Sequence, residues 1–503
     1  NLPVSVVLLP TYVLNDAKTD SVLEAKLAAL STNRGMITQG TPLVVQGTTI
    51  GPEAFELLTA LESHYDGSLE GLDSRGKYGA LLYILLTLLG LASYLAFTEQ
   101  SMLYHSSSLN LYYFTFTGLA LLTLAFAAVP VLSIFAVPLL LFPVIIRSFF
   151  NARLALAGHL FLLLITAPFV PNSTAFIAVQ FAAGLSTMLN LEGIYKRSQL
   201  FQSTLRILLT LVFIHFAFHL MKQNPWQWSS AMPLAGSFAG TMVLFFVFPL
   251  IYFFERIFGV VSDLTLLELS DMNNPLLKKL SKDAPGTFQH TMQVANLAEH
   301  ATELVGGNTL LARTGALYHD IGKTVNPMYF TENQTSGTSP HDDLSYVESA
   351  EVIIRHVTDG IDLARRHKLP DVVIDFIRTH HGTSRVEYFY RKYKDGHPDE
   401  EQFDQFRYPG PKPFSKETAI LMMADAVEAA TRSLPEKSQE SLNGMIEKII
   451  QHQLSTGQMD NADITLKEIG AIKEAFKKFI RGVYHVRIEY PEDLAAKNGR
   501  SFK

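Results

Sequence analysis

The chain contains no cysteine. Disulfides and thiolate metal sites are therefore excluded, and an oxidising compartment is neither required nor excluded. Charge is scarce as well: Asp, Glu, Lys and Arg make up 17% of the 503 residues. A net charge of −6 argues against a surface that coats a nucleic-acid polymer. No charged segment followed by a short apolar core precedes the chain, which starts at Asn1, so the natural N-terminus is expected to lie upstream. What is abundant is apolar. Hydrophobic residues reach 48%, with 34 Phe, and the mean hydropathy is positive. A chain of this length has room for two or three domains, and this profile fits a membrane protein with a soluble part.

The apolar runs are concentrated between Tyr78 and Phe254. A bilayer core takes about 20 predominantly apolar residues per helix, which predicts spans near 78–97, 110–129, 131–148, 154–171, 173–190, 204–221 and 233–254. With the N-terminal residues outside, Arg147, Arg153, Lys196, Arg197, Arg206 and Arg256 fall inside. Lys222 falls outside, with Arg75 and Lys77 before the first span, so the bias is that of cytoplasmic loops. An odd number of spans then puts the C-terminal part in the cytoplasm. Trp226 and Trp228 suit an outer interfacial belt. His215 and His219, four apart on the sixth span, share a face and are read as packing or as ligand contacts; His159 is read as packing.

Ahead of the spans, residues 1–77 read as a small α+β fragment. Strands are predicted at 4–9, 35–40 and 42–47, and helices at 21–30 and 52–63. After them, 258–285 reads as a linker, and 286–503 as an almost all-helical domain. Its helices are expected at 286–305, 308–320, 344–366, 370–380, 384–394, 415–433, 438–451 and 465–482. Loops rich in turn residues cover 326–343 and 395–414. In the second, Phe403, Phe406, Tyr408 and Phe414 either wall a flat ring or pin the loop to the core.

Within that domain stand His290, His319, Asp320, His356, His380, His381 and Asp425. Imidazole and carboxylate together suit divalent first-row metals such as Fe, Mn, Co or Zn. One ion takes about four ligands. Two ions sharing a bridging carboxylate use all seven, and a pair about 3.5–4 Å apart drives in-line attack on phosphodiesters. The His319-Asp320 doublet alone is a weak signal; its strength lies in the company it keeps. His300, His341, His367 and His397 read as ordinary structural histidines.

The order His290, His319-Asp320, Asp425 resembles the HD superfamily of metal-dependent phosphohydrolases, and the added His356 and His380-His381 resemble its two-metal subgroup. Placed behind a run of spans, the chain is similar to the seven-transmembrane HD proteins, the PgpH-type cyclic di-AMP phosphodiesterases of bacteria. The likeness includes Asp271 to Leu277 and Tyr408 to Pro413. The first 77 residues resemble only the end of that family's extracellular domain.

The resemblance implies a mainly α protein: a seven-helix membrane domain (78–257), a linker (258–285) and a cytoplasmic HD domain (286–503) behind the extracytoplasmic fragment (1–77). It implies a multi-pass protein of the bacterial cytoplasmic membrane, with the N-terminal region outside. It also implies two divalent metal ions, Mn or Fe foremost, with Asp320 as the bridge. His290, His319 and Asp425 complete one ion, and His356, His380 and His381 the other. Water between the ions is acidified and attacks phosphorus in line with the departing ribose 3′ oxygen. Lys323 is the expected phosphate contact and joins Asp320 as a catalytic residue, with Thr383 and Arg432 as further substrate contacts. The implied partners are a cyclic dinucleotide, the lipid bilayer and an extracytoplasmic ligand of unknown identity. No nucleic-acid polymer is implied, and a homodimer is left open. Two alternatives stand beside cyclic di-AMP hydrolysis. One is hydrolysis of cyclic di-GMP or another nucleotide, although the Gly-Tyr-Pro element of cyclic di-GMP enzymes is missing after His380-His381. The other is a receptor whose HD domain binds nucleotide without turnover.

Overall fold

The computed structural model describes residues 43–45, 47–65, 74–103, 106–129, 131–190, 197–221, 228–334, 339–397 and 404–484. Among the described residues no strand occurs, and one isolated bridge pairs Arg385 with Arg407. The strands predicted at 4–9 and 35–40 and the helix at 21–30 lie outside the described residues. The strand predicted at 42–47 is not formed by its described residues. Gly47 takes φ +91, and the Thr48 N–H turns back to Val45 O at 3.1 Å. Helix α1 (Pro52–Tyr65) follows as expected, with Pro52 in the first turn where its missing N–H costs nothing.

Among the described residues, five helices are long and apolar enough to cross a membrane: Ser74–Thr98, Ser106–Ala127, Ala152–Phe169, Gln199–Met221 and Ala231–Phe258. The first is α2 (Ser74–Thr98), which turns Leu91 and Leu95 inward and leaves Leu81, Leu82, Leu85, Leu86 and Leu89 exposed. Such an unbroken apolar face has no place in water. Next come α3 (Ser106–Ala127), α4 (Leu141–Phe149), α5 (Ala152–Thr166), α6 (Ser173–Asn190), α7 (Arg197–Met221), α8 (Trp228–Met242) and α9 (Val247–Phe258).

Two of the seven predicted spans differ from that set. Helix α6 forms over the predicted residues but carries Ser173, Thr174, Gln180, Ser186, Thr187 and Asn190, which lower its hydropathy. The predicted third span is broken: residues 131–140 contain only a 3₁₀ turn (Ile134–Ala136), and regular helix starts at Leu141. Pro138 cannot donate to a helix there. Irregular backbone is tolerated at membrane depth where protein covers it. Helix α8 supplies that cover, because a Cβ on Gly236 would meet Ser133 Oγ at 2.4 Å and one on Gly240 would meet Ala136 O at 2.9 Å. The two glycines let the backbones touch. His159 is fully buried with Nε2 3.1 Å from Gln180 O, and His215 Nε2 lies 2.8 Å from Ser237 Oγ, so both make packing contacts between helices. Trp226 and the side chain of Trp228 lie outside the described residues.

Gly259, at φ +64, ends α9. Two short helices follow, α10 (Asp263–Leu269) and α11 (Pro275–Asp283). Their Leu266, Leu276, Leu277 and Leu280, each at most 3% exposed, sit in one core cluster with Leu317, Phe376 and Ile420 of the C-terminal domain. That domain is built from α12 (Pro285–Val305), α13 (Thr309–Tyr318), α14 (Tyr346–Arg366), α15 (Asp371–Thr379), α16 (Glu387–Gly396), α17 (Lys416–Ser433), α18 (Gln439–Ser455) and α19 (Leu466–Val483). Capping explains several starts: Asn308 accepts from Leu311 N, and Ser345 and Thr465 form capping boxes with Glu348 and Glu468. Helix α16 begins three residues later than predicted. Residues 384–386 instead pair with the loop ahead of α17, through Val386 N to Phe406 O at 2.9 Å and Tyr408 N to Ser384 O at 2.9 Å.

Candidate metal centre

The seven residues singled out above converge. His290 lies on α12, His356 on α14 and Asp425 on α17, while His319 and His380 are the residues at which α13 and α15 end. Asp320 leaves the helix at φ −107, ψ 14, and a tight 3₁₀ turn (Ile321–Thr324) follows. Gly322 is required in that turn for space: a Cβ would lie 1.9 Å from His356 O and 2.6 Å from Gly360 N. Its closeness brings α14, and with it His356, against the His-Asp doublet.

The two oxygens of Asp320 face different histidines. Oδ2 lies 3.3 Å from His319 Nε2 and 3.7 Å from His290 Nε2. Oδ1 lies 3.4 Å from His356 Nε2 and 3.7 Å from His380 Nε2. Asp425 Oδ1 is 2.9 Å from His290 Nε2 and 3.7 Å from His319 Nε2, and its Oδ2 is 3.9 Å from His381 Nδ1. Two triads result, His290–His319–Asp425 and His356–His380–His381, each with donor atoms within 4.8 Å of one another.

The rings are oriented for ligation. Nδ1 of His319 donates to Ala316 O (2.7 Å), that of His356 to Ile353 O (2.5 Å) and that of His380 to Ile377 O (2.9 Å). A carbonyl only accepts, so each ring carries a proton on Nδ1 and turns Nε2 toward the centre. His319 Nε2 and Asp320 Oδ1 are buried without a hydrogen-bond partner, while Asp320 Oδ2 has the Lys323 ammonium as its ion-pair partner. Orphaned polar atoms at that depth are rare, and a divalent cation is the ligand that this donor set would satisfy.

On the protein's own charges the two triads behave differently. Burial alone would lower His319, but Asp320 and Asp425 outweigh it and raise its pKa to about 10. His290 is raised in the same way by Asp425 and Glu428 against its burial. Burial lowers His356 and His380, and takes His381 down to about 3. Burial would push Asp320 up, yet Lys323 and His319 hold it well below the usual carboxylate range.

Lys323 Nζ is 2.7 Å from Asp320 Oδ2 and 3.0 Å from Glu332 Oε1, with the Phe330 ring beneath it at 5.0 Å. Thr383 borders a cleft of about 980 Å³ that opens from His380, His381 and Asp425, and its N–H donates to Gln458 Oε1 at 3.0 Å. Arg385, Arg407, Lys412 and Lys448 give that cleft a basic rim. Arg432 is not among its lining residues; Nη1 lies 3.9 Å from Glu428 Oε1. The aromatic loop divides its roles. Phe406 is fully buried against Tyr390 and Tyr393 and pins the loop, whereas Tyr408 stacks on His381 with centroids 4.2 Å apart. Phe403 lies outside the described residues.

Sequence reasoning missed Glu428 and Glu332. Glu428 Oε2 accepts from His290 Nδ1, and its one signal is a three-residue spacing from Asp425 on the same helix. Glu332 lies in a loop with no periodicity to mark it.

Residues 77–262 match the family described as 7TM receptor with intracellular HD hydrolase, and residues 287–430 match the HD domain. The chain is 33% identical to the cyclic-di-AMP phosphodiesterase PgpH of Bacillus subtilis strain 168, over 96% of this chain and 69% of that protein. It is also 33% identical to the protein of the same name from Listeria monocytogenes, over 97% of this chain and 68% of that one. The solved HD domain of L. monocytogenes PgpH in complex with cyclic-di-AMP is 43% identical, covering 42% of this chain and 100% of that one, with a TM-score of 0.42.

Proposed function

The chain belongs to the family of seven-transmembrane receptors with an intracellular HD hydrolase domain, and on that premise we propose that it is a membrane-bound, metal-dependent phosphodiesterase opening cyclic di-AMP to linear pApA. One observation carries the chemistry: Asp320 presents Oδ2 to His319 and Oδ1 to His356, at 3.3 and 3.4 Å. The two triads would each hold a divalent ion, with Asp320 offering one oxygen toward each, and the family resemblance suggests Mn²⁺ or Fe²⁺. Bound there, divalent ions would acidify water toward neutral pH and offset charge on the transferring phosphoryl group.

The chain's own residues supply orientation and charge. Ala316, Ile353 and Ile377 fix three imidazoles through their carbonyls. Lys323, held between Asp320 and Glu332, is a fixed cation for a phosphate oxygen. Thr383 and the basic rim of the cleft suit the remainder of a dianionic dinucleotide, and Tyr408 closes one wall beside His381. Arg432 we assign to the support of Glu428 rather than to substrate.

We read residues 1–77 as extracytoplasmic, 78–257 as the membrane domain and 286–503 as the cytoplasmic HD domain. The segment 258–285 joins the last two and shares the core of the HD domain. The orientation is supported by Arg147, which lies beside Asp263 at the entrance to the HD domain, on the side where most Lys and Arg residues near span ends fall. The test is hydrolysis by the purified full chain with added Mn²⁺ or Fe²⁺, offered cyclic di-AMP and cyclic di-GMP in parallel, products separated by chromatography. Production of pApA is expected. Product from cyclic di-GMP alone would overturn the substrate, and no product from either by metal-loaded protein would leave the receptor reading.

A further inference from the structure

We propose that Glu428 is a positioning residue: it holds His290 for metal binding, and the affinity of one metal position, but not the other, depends on it. This rests on the two-metal reading above. Three of the histidines, His319, His356 and His380, have Nδ1 fixed by a backbone carbonyl three residues earlier. His290 has a side-chain carboxylate instead, donated from a different helix. Asp425 and Glu428 lie one turn apart on α17 and clasp this single imidazole from both sides, Asp425 Oδ1 at Nε2 (2.9 Å) and Glu428 Oε2 at Nδ1.

Glu428 is 6% exposed, and burying a carboxylate is costly unless it is paired. Its near partner is His290, while Arg432 Nη1, one turn further along α17 and 3.9 Å from Oε1, offsets its charge. A cation at Nε2 would share Asp425 with the ring, leaving Glu428 alone to set the ring's rotation. A carboxylate behind a ligating imidazole also raises its basicity, and such partners are worth about 10–100-fold in metal affinity or activity. A carbonyl behind the other rings lacks that charge. The triad of His290, His319 and Asp425 is therefore the one whose grip a single substitution outside it can loosen.

The test uses the full chain in detergent, stripped with chelator and titrated with Mn²⁺, with bound metal per chain counted by elemental analysis. Wild type is expected to take two ions. Glu428→Ala should bind one with unchanged affinity and the other about 10–100-fold more weakly. Glu428→Gln, which keeps the shape and an acceptor oxygen, should fall between. The rise in melting temperature on adding Mn²⁺ should be smaller for Glu428→Ala than for wild type, each measured from its own metal-free value, a difference that a merely structural role would not produce. Two ions at wild-type affinity in both variants would overturn the assignment. Should the alanine variant not fold, the glutamine variant decides. A wild-type chain that binds no Mn²⁺ would instead overturn the metal reading beneath it.

Discussion

Arg147, in the last turn of α4, lies 3.5 Å from Asp263, the first residue of α10. The pair joins the membrane part to a helix that packs on α13, the helix that ends at His319. Leu266 O accepts from Thr314 Oγ1 at 3.1 Å and Leu269 O from the Tyr318 hydroxyl at 2.7 Å, and Tyr318 precedes His319. Burial raises the Asp263 carboxyl above its ordinary pKa, and the Arg147 guanidinium offsets part of that rise.

Arg147→Ala and Asp263→Ala should therefore change turnover of the full chain in lipid vesicles by a similar factor, and the double variant by no more than either. Each should cost at most about 1 kcal/mol of stability, since the pair is partly exposed. Hydrolysis rates in a double-mutant cycle measure this. Independent, multiplying effects would show that the pair transmits nothing.

Asp320→Ala removes the group common to both triads. Turnover should fall by well over the about 100-fold that loss of an outer partner costs, with bound Mn²⁺ below one per chain and helical content unchanged by circular dichroism. Turnover retained at measured metal loading would end the bridging role.

Metal uptake should be linked to protons at one triad only. His319, raised to about 10, is protonated at pH 7 in the metal-free protein and must lose that proton to ligate. His381, lowered to about 3, and His356 and His380, also lowered, are neutral already. Titration calorimetry in buffers of different ionisation enthalpy should show proton release for one ion and none for the other. The signs for stability are opposite too. His319 stabilises the metal-free fold below its unfolded pKa of about 6.5 and stops doing so as pH rises through about 10. His381 makes the fold less stable as pH falls from about 6.5 toward about 3, because the unfolded chain takes the proton first.

Gly322→Ala should be disruptive, although alanine is the better helix former. Its Cβ would fall 1.9 Å from His356 O, a backbone atom that cannot swing aside. Overpacking of this kind costs about 1–3 kcal/mol, occasionally more, and displacing α14 would carry His356 out of its triad. Thermal unfolding and Mn²⁺ stoichiometry would both register the change; wild-type values in both would show that the turn can open without cost.

The cluster of seven candidate ligands was legible because ligation would dictate residue type: few structural needs place His, His-Asp, His and His-His on successive apolar helices. Long helices such as α12 and α14 were legible from periodicity and caps. The broken stretch before Leu141 was not, since a residue count cannot tell a helix from an apolar run interrupted by Pro138 and covered by Gly236 and Gly240. Nor was the late start of α16, which the Val386 to Phe406 hydrogen bond decides across 20 residues of chain. Glu428 was hidden for a different reason. A carboxylate on a helix reads as solvated until the fold brings an imidazole to it.

The four leucines that α10 and α11 bury beside Leu317 and Phe376 determine where the protein can be cut. Each is worth about 1.5–3 kcal/mol when removed from water, together about 6–12 kcal/mol, which is as much as a whole domain's net stability. A soluble fragment starting at residue 286 would leave an oily trench open along its flank and clump, whereas one starting at Ser262 keeps its plug and its first N-cap.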